Sequence, residues 1–254
     1  MMNAPCVVWV TAKINAVKDG TLWPAYILHS RPYQENKLLL QLLLPDLGRI
    51  SAVARRRSGK QHRALQPFQA YLISLSGRSN LKTVSQLEEQ ARAYSFNGRV
   101  LFSALYLNEL LCRLWPADLG SDHLFPLYQR TLQQLARTDT DGSLELVLRQ
   151  FEFALLAELG QLPELALDAN AAPLIASAYY LLASEHGLVA SEKGWPGSAL
   201  LAIAAGDWQQ ADTLKVAKQL SRQLLTPLLG DKPLTSRALF QQFKTPVATS
   251  GSEE

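Results

Sequence analysis

The sequence predicts an α+β chain, with a five-stranded barrel at the N-terminus followed by a mainly α-helical domain. Three observations lead there. Short apolar runs punctuated by Gly, Pro and Asp fill residues 22–88, the texture of strands and turns. After Ala91, apolar residues recur at three- and four-residue spacings, the texture of helices. The charge changes sign close to the same place. Residues 1–82 hold 12 Lys/Arg against 3 Asp/Glu, and the remaining 172 hold 13 against 19. The whole-chain charge of +3 therefore conceals a +9 segment joined to a −6 segment.

Strand signals come in order. Tyr26-Ile27-Leu28 precedes a polar bend from His29 to Asn36, and Leu38–Leu44 is an apolar run ended by Pro45-Asp46. Leu47-Gly48 leads into Arg49–Ala54, a strand in which Ile50 and Val53 break strict alternation. Phe68–Leu75 alternates, with Phe68, Ala70, Leu72 and Ser74 on one face and Tyr71, Ile73 and Leu75 on the other. Gly77 ends it, and Leu81–Val84 forms the last strand. Five short strands with Gly-containing turns fit a small barrel such as the OB-fold.

The helical signals follow. Val100, Leu101, Ala104, Leu105, Leu107, Leu111 and Leu114 line one helix, stopped by Pro116. A second runs over Leu124–Ala136 behind Asp122 as N-cap, and a third over Leu144–Leu159, capped by Ser143 and ended by Gly160. Pro163–Pro173 reads as an irregular connector, Ile175–Ser184 as a short helix, and Glu185–Pro196 as a hairpin or loop. Helices over Asp212–Leu225 and Ser236–Phe243 complete the chain. The expected organisation is a loosely ordered extension over 1–19, a barrel domain over 20–90, a helical domain over 91–244 and a polar tail over 245–254. The helical domain carries an irregular, cysteine-free insertion at about 163–200. No internal repeat or sustained heptad occurs.

Composition excludes several classes. Two cysteines, Cys6 and Cys112, supply no disulfide framework, and with four scattered histidines they give no metal-centred fold. The densest apolar stretch, Val100–Leu114, is interrupted by Asn108, Glu109 and Arg113 and falls short of a membrane span. No signal peptide is recognisable, so a cytoplasmic protein is expected. Enzyme motifs fail in turn. Gly59-Lys60 resembles the end of a phosphate-binding loop, but Ala54 and Gln61 stand where Gly and Ser/Thr are needed. GxGxxG, HExxH and GxSxG are absent. Cys112 sits among Leu110, Leu111 and Leu114 and reads as a structural thiol. Catalysis, metal and cofactor are not expected.

The basic barrel carries the functional signal. Arg49, Arg55, Arg56, Arg57, Lys60 and Arg63 flank and fill the loop after the third strand, with no acid among them. Arg31, Lys37, Arg78 and Lys82 come from other strands and turns. Barrels of this type track phosphates with a cationic groove and stack bases on aromatic rings. Tyr33 lies beside Arg31 in the expected polar turn and is the candidate stacking ring, while Phe68 and Tyr71 read more readily as core. In the acidic half, Arg149 lies between Leu148 and Phe151. It reads either as a snorkelling or ion-paired residue, with Glu145 as partner, or as a receiver of a partner peptide's carboxylate. Lys215, Lys218 and Arg222 form one basic stripe, read as a solvated face.

A set of blocks then resembles one family. They are Tyr26-Ile27-Leu28-His29-Ser30-Arg31-Pro32-Tyr33, Ala64-Leu65-Gln66-Pro67-Phe68, Leu105-Tyr106-Leu107-Asn108-Glu109-Leu110-Leu111 and Arg149-Gln150-Phe151-Glu152-Phe153-Ala154-Leu155-Leu156. Ala211-Asp212-Thr213-Leu214 and Gly230–Phe240 complete the set. Together they resemble the RecO family of bacterial DNA repair proteins, of the proteobacterial type. The resemblance implies an OB-fold, a helical domain, and a cytoplasmic, nucleoid-associated recombination mediator that works without ATP. It implies binding of single- and double-stranded DNA, annealing of complementary strands, and action with RecR to load RecA on strands coated by single-stranded DNA-binding protein (SSB). It implies an SSB-tail site on the helical domain, at Arg149 with Leu148 and Phe151. Some members carry a four-cysteine zinc module in the region matching 163–196. This chain has no cysteine there, so zinc is not expected. Residues 1–19 have no counterpart in the family pattern. A protein-interaction scaffold with incidental DNA contact is the alternative.

Overall fold

The structure is a computed structural model that describes residues 20–56, 64–183, 187–209 and 211–242. The expectations for residues 1–19, Arg57–Arg63 and 245–254 lie outside the described residues. The chain divides into two compact units, Met1–Ala136 with Lys232–Glu254, and Arg137–Asp231. This division is not the strand-to-helix change near residue 90. The first two helices and the last one belong with the barrel, and the second unit is inserted between them. The charge asymmetry survives the new boundary. The barrel unit has 19 Lys/Arg against 10 Asp/Glu, and the inserted unit 6 against 12.

The barrel has five strands, β1 (Leu22–Tyr33), β2 (Lys37–Leu44), β3 (Gly48–Arg55), β4 (Ala70–Ser76) and β5 (Leu81–Glu89), closed in the order β1-β2-β3-β5-β4. All neighbours are antiparallel except β3 and β5. Closure removes the unpaired edges that an open sheet would expose. Ile27, Leu40, Leu42, Ile50, Ala52, Tyr71, Ile73 and Leu75 fill the interior.

Several local expectations are corrected. His29–Tyr33 is strand rather than bend, because each of these five residues finds a register partner on β2, and the turn shrinks to Gln34–Asn36. A register shift between Ile27 and His29 absorbs the irregularity. β3 alternates fully, with Ile50, Ala52 and Ala54 inward and Val53 on the outer face. Phe68 precedes β4 in a left-handed conformation, at φ 61°, and packs on Phe96.

Helices α1 (Gly98–Leu114), α2 (Leu124–Leu135) and α6 (Thr235–Gln242) complete the barrel unit. Asn108 on α1 donates to the Leu28 carbonyl of β1 at 3.0 Å and accepts from the Tyr128 hydroxyl of α2 at 2.7 Å. One buried amide thus ties strand to two helices. Ser121, not Asp122, serves the start of α2, its hydroxyl accepting from the backbone of His123 and Leu124. Gly48 has φ 68°, and a Cβ there would collide with the Leu119 carbonyl of the linker between α1 and α2. Glycine is required on both counts.

The inserted unit holds α3 (Asp141–Glu158), strands β6 (Tyr179–Ala183), β7 (Gly187–Ser191) and β8 (Trp195–Pro196), α4 (Gly197–Ala204) and α5 (Ala211–Leu229). Thr140 is the N-cap of α3 and Ser143 its N3 partner in a capping box, which starts the helix three residues earlier than its apolar pattern does. Gly160, at φ 66°, closes it with Gln161 N–H bonded to the Leu156 carbonyl. Where a helix was expected over Ile175–Ser184, Tyr179–Ala183 is a strand instead. Tyr179 and Tyr180 favour the pleated sheet, where β7 and β8 pair with them. The short, apolar α4 was not legible as a separate helix.

Candidate nucleic-acid interface

The outer face of β1, β2 and β3 is built in rows by the strand register. His29, Gln41 and Ser51 form one row, Arg31, Leu39 and Val53 the next, and Tyr33, Lys37 and Arg55 the last. Directly opposed residues share a face, so these side chains stand together on the outside of the barrel. Their neighbours Leu40, Ala52 and Ala54 are buried on the inside. Arg31, Lys37 and Arg55 are exposed, and Tyr33, Leu39 and Val53 are half-buried between them. A ring, two aliphatic side chains and three cations thus share one strip. Arg56 follows at the strip's end, exposed, its N–H bonded to the Asn36 carbonyl at 2.8 Å. That bond holds the exit of β3 beside the β1–β2 turn. Arg57, Lys60 and Arg63 lie outside the described residues. Arg78 is exposed in the β4–β5 turn, which enters β5 at Leu81, the partner of Ser51.

Two of the cations selected from sequence are turned to other uses. Arg49 donates to the Trp115 carbonyl at 2.9 Å and to the Gln41 side-chain oxygen at 2.6 Å. Its backbone also receives the N–H of Asp118 at 2.8 Å. Arg49 therefore fixes the α1–α2 linker to β3. Lys82 is only 3% exposed, and its ammonium donates to the Gly77 carbonyl at 3.1 Å. Its register partner is the inward-facing Ala52, so it points into the barrel wall. Asp118 lies near both. Burial raises its carboxyl above the usual range, while Lys82 and Arg49 pull it back. Lys82 and Arg49 were indistinguishable in sequence from their exposed neighbours.

The aromatics divide in the same way. Phe68 is buried, and Tyr71 is core, its hydroxyl bonded to the Gln69 side chain at 3.0 Å. Tyr33 alone among the three keeps an accessible face. Leu39, Val53, His29 and Gln41 share its strip and were not singled out from sequence. The signal was available in their alternation with buried residues.

In the inserted unit, Arg149 pairs with Glu152, three residues on, at 2.8 Å, and not with Glu145. It also donates to the Ser221 hydroxyl of α5 at 3.0 Å. The Arg149 side chain is 11% exposed and that of Glu152 1%. Glu145 instead pairs with Lys218 at 2.9 Å, so the α5 stripe is not wholly free. Leu148 is half-buried, but Phe151 is 1% exposed and belongs to the interior. Arg149 is thus largely buried, Leu148 half-buried and Phe151 fully buried. In the barrel unit, burial pushes the Cys112 thiol up to about 11 against a smaller opposing pull from Arg49, so the thiol stays protonated at neutral pH. Among the described residues no group of His, Cys, Asp and Glu could hold a metal ion, and no helix is long and apolar enough to cross a membrane.

A closed barrel of five strands with this connectivity, followed by helices, is an OB-fold, a class whose strand face and loops bind oligonucleotides. Comparison with known proteins narrows the class to a family. The family described as "Recombination protein O N terminal" matches residues 21–91, and "Recombination protein O C terminal" matches residues 96–238. Similar relatives include the DNA repair protein RecO of Cellvibrio japonicus, 44% identical over 229 residues, covering 86% of this chain and 96% of the relative. That of Stutzerimonas stutzeri is 44% identical over 225 residues, covering 87% and 94%, and that of Pseudoalteromonas translucida 38% over 228 residues, covering 87% and 98%. The chain belongs to the RecO family of DNA repair proteins.

Proposed function

We propose that the chain is a non-enzymatic DNA-binding mediator of recombinational repair that anneals complementary single strands and helps to load RecA on SSB-coated DNA, with RecR as partner. The strip Tyr33-Lys37-Arg55 with Arg31 is the observation that carries this reading. Three cations in register offer a track for phosphates, and Tyr33 offers a platform for one base. Neutralising phosphates on two strands lowers the repulsion that opposes their pairing, with no need for ATP. Arg56 and Arg78 extend the track, and Arg57, Lys60 and Arg63 belong to it by sequence. Duplex and single strands share the phosphate chemistry, so both are bound. The site of action is the cytoplasm, at the nucleoid.

On the inserted unit, Arg149 is the proposed receiver of the terminal carboxylate of the SSB tail, with Leu148 beside it. Its guanidinium is already oriented by Glu152 and Ser221, and its side chain is 11% exposed. Phe151 supports α3 from beneath and touches no ligand.

Annealing of complementary oligonucleotides, with and without SSB and without ATP, tests the reading. Wild type accelerates annealing, and Lys37→Ala/Arg55→Ala slows it. Equal annealing, with unchanged affinity and salt slope on single strands, would remove the barrel face from the mechanism and return the chain to a protein-binding scaffold.

A further inference from the structure

The inserted unit carries an exposed face that the DNA reading does not use. Strands β6, β7 and β8 form a sheet in the order β7-β6-β8. Its inner side sends Tyr180, Leu188 and Trp195 into the unit's core. On its outer side the register sets Tyr179 beside Ser191 and Pro196, Leu181 beside Val189, and Ala183 beside Gly187. None of these residues is charged. Tyr179 is 48% exposed, Leu181 46%, and Ile175, just before the sheet, 62%. From Ala169 to Ala183 the sequence contains no charged residue at all, in a chain that is 19% charged.

The backbone at Ile175 is firmly held. Its N–H donates to the Tyr180 hydroxyl at 2.9 Å, and its carbonyl accepts from the Ala178 N–H at 3.0 Å. Gly197 lies against that same carbonyl so closely that a Cβ would collide with it. Gly194 approaches the Tyr180 carbonyl in the same manner. Apolar groups held rigidly in water cost free energy when free and little further entropy on docking. An exposed apolar patch of this kind marks an interaction surface.

Charge selects the occupant. The unit carries 6 Lys/Arg against 12 Asp/Glu. Glu192 follows Ser191, the partner of Tyr179, and Asp168 precedes Ala169, whose N–H binds the Leu188 carbonyl at the outer edge of β7. Lys193 is the one cation next to them in the chain. DNA is repelled by such a unit, and the same unit of a second copy would bring like charge against like charge. We infer that this face docks a protein partner through an apolar segment flanked by basic side chains. The acidic surroundings steer that segment in, and Ile175, Tyr179 and Leu181 receive its apolar centre.

The probe is a synthetic peptide with a Leu/Phe centre and flanking lysines, compared with the same peptide carrying glutamates, with the full chain in fluorescence anisotropy. The lysine peptide should bind at least about tenfold tighter than the glutamate peptide, a difference set by charge complementarity. Leu181→Glu adds an acid, so electrostatics alone would strengthen binding, yet it should weaken the lysine peptide by about tenfold through lost apolar contact. Glu192→Lys should weaken it by a few fold. Both positions are exposed, and melting curves confirm the fold. Binding indifferent to Leu181→Glu, or equal for both peptides, would overturn the proposal. So would a concentration-dependent dimer in sedimentation equilibrium that Leu181→Glu abolishes, because the occupant would then be a second copy.

Discussion

Cations meet different fates in the two units. On the outer face of β1, β2 and β3, Arg31, Lys37 and Arg55 stand in water with no acid opposite them in the register. On α3 and α5, Arg149 is tied to Glu152 and Lys218 to Glu145. The difference follows from where each element keeps its acids. The first 82 residues hold too few acids to neutralise their strands, whereas α3 places Glu145 four residues before and Glu152 three residues after its one cation, Arg149. A cation's availability is thus a property of its neighbours in register or along a helix, and not of its residue type. Arg49 and Lys82 show the same rule inside the barrel unit, where a carbonyl replaces the acid.

The largest effect that tests the comparison is on stability, at Arg149. Arg149→Ala leaves Glu152 buried without its guanidinium, and loss of one member of a buried pair costs about 3–5 kcal/mol. Urea unfolding should show the midpoint falling with an unchanged slope. A loss below about 1 kcal/mol would mean that the pair behaves as a surface pair. Arg149→Lys separates structure from recognition. It keeps the charge but loses the forked geometry, so an acidic Phe-terminated peptide should bind more weakly to a protein that remains folded.

The second effect is on DNA. Arg31→Ala/Lys37→Ala/Arg55→Ala should weaken single-strand binding by roughly 100-fold at low salt and reduce the salt slope by about 2, since each phosphate contact on a single strand contributes about 0.7. Stability should scarcely change, because these side chains are exposed. Anisotropy titrations across a salt series read both quantities. Unchanged slope would show that the strip's cations do not meet phosphates.

Arg49→Ala reverses that pattern and is smaller. It should lower stability by about 1–3 kcal/mol through the lost bonds to Trp115 and Gln41 while leaving the salt slope as in wild type. A loss of slope equal to that of Lys37→Ala would place Arg49 on the DNA side after all.

How far the sequence could show this depends on the scale of the signal. The barrel was legible because five apolar runs and their turns are local features, and the helices because their periodicity is. Strand length was not. His29–Tyr33 is polar, and only the partner strand Lys37–Gln41 holds it extended. The Ile175–Ser184 segment has an apolar content that suits helix or strand, and its pairing with β7 and β8 decides between them. Of the candidate site, the basic character was legible from composition. Which cations face outward was not, because Lys82 and Arg55 differ only in strand parity, and parity is fixed by register. Nor could spacing reveal that Arg149 pairs with Glu152 in preference to Glu145, as both lie within helical reach.

The smallest effect concerns how the returning chain is fixed within the barrel unit. The chain leaves the barrel unit after Ala136 and returns at Lys232. Glu109 of α1 receives the return, accepting from the Thr235 N–H at 2.8 Å, the Ser236 N–H at 2.9 Å and the Ser236 hydroxyl at 2.6 Å. Arg113, one turn on, donates to the Lys232 carbonyl at 2.7 Å and to that of Pro233 at 3.3 Å. Burial alone would raise the Glu109 carboxyl, but the donors from Ser236 and Thr235, with Arg113 nearby, bring it below its ordinary 4.5. A carboxyl lowered in the folded state adds stability that is fully present above its unfolded value. That stability is lost as pH falls through the folded value. Wild type should therefore lose this increment only below about pH 4.5, whereas Glu109→Gln lacks it at neutral pH already. The expected cost at pH 7 is about 1 kcal/mol, kept small by the partial exposure of the site. The two proteins should converge in stability as the pH is lowered, and an equal gap at pH 7 and pH 3 would show that shape rather than charge holds α6 to α1.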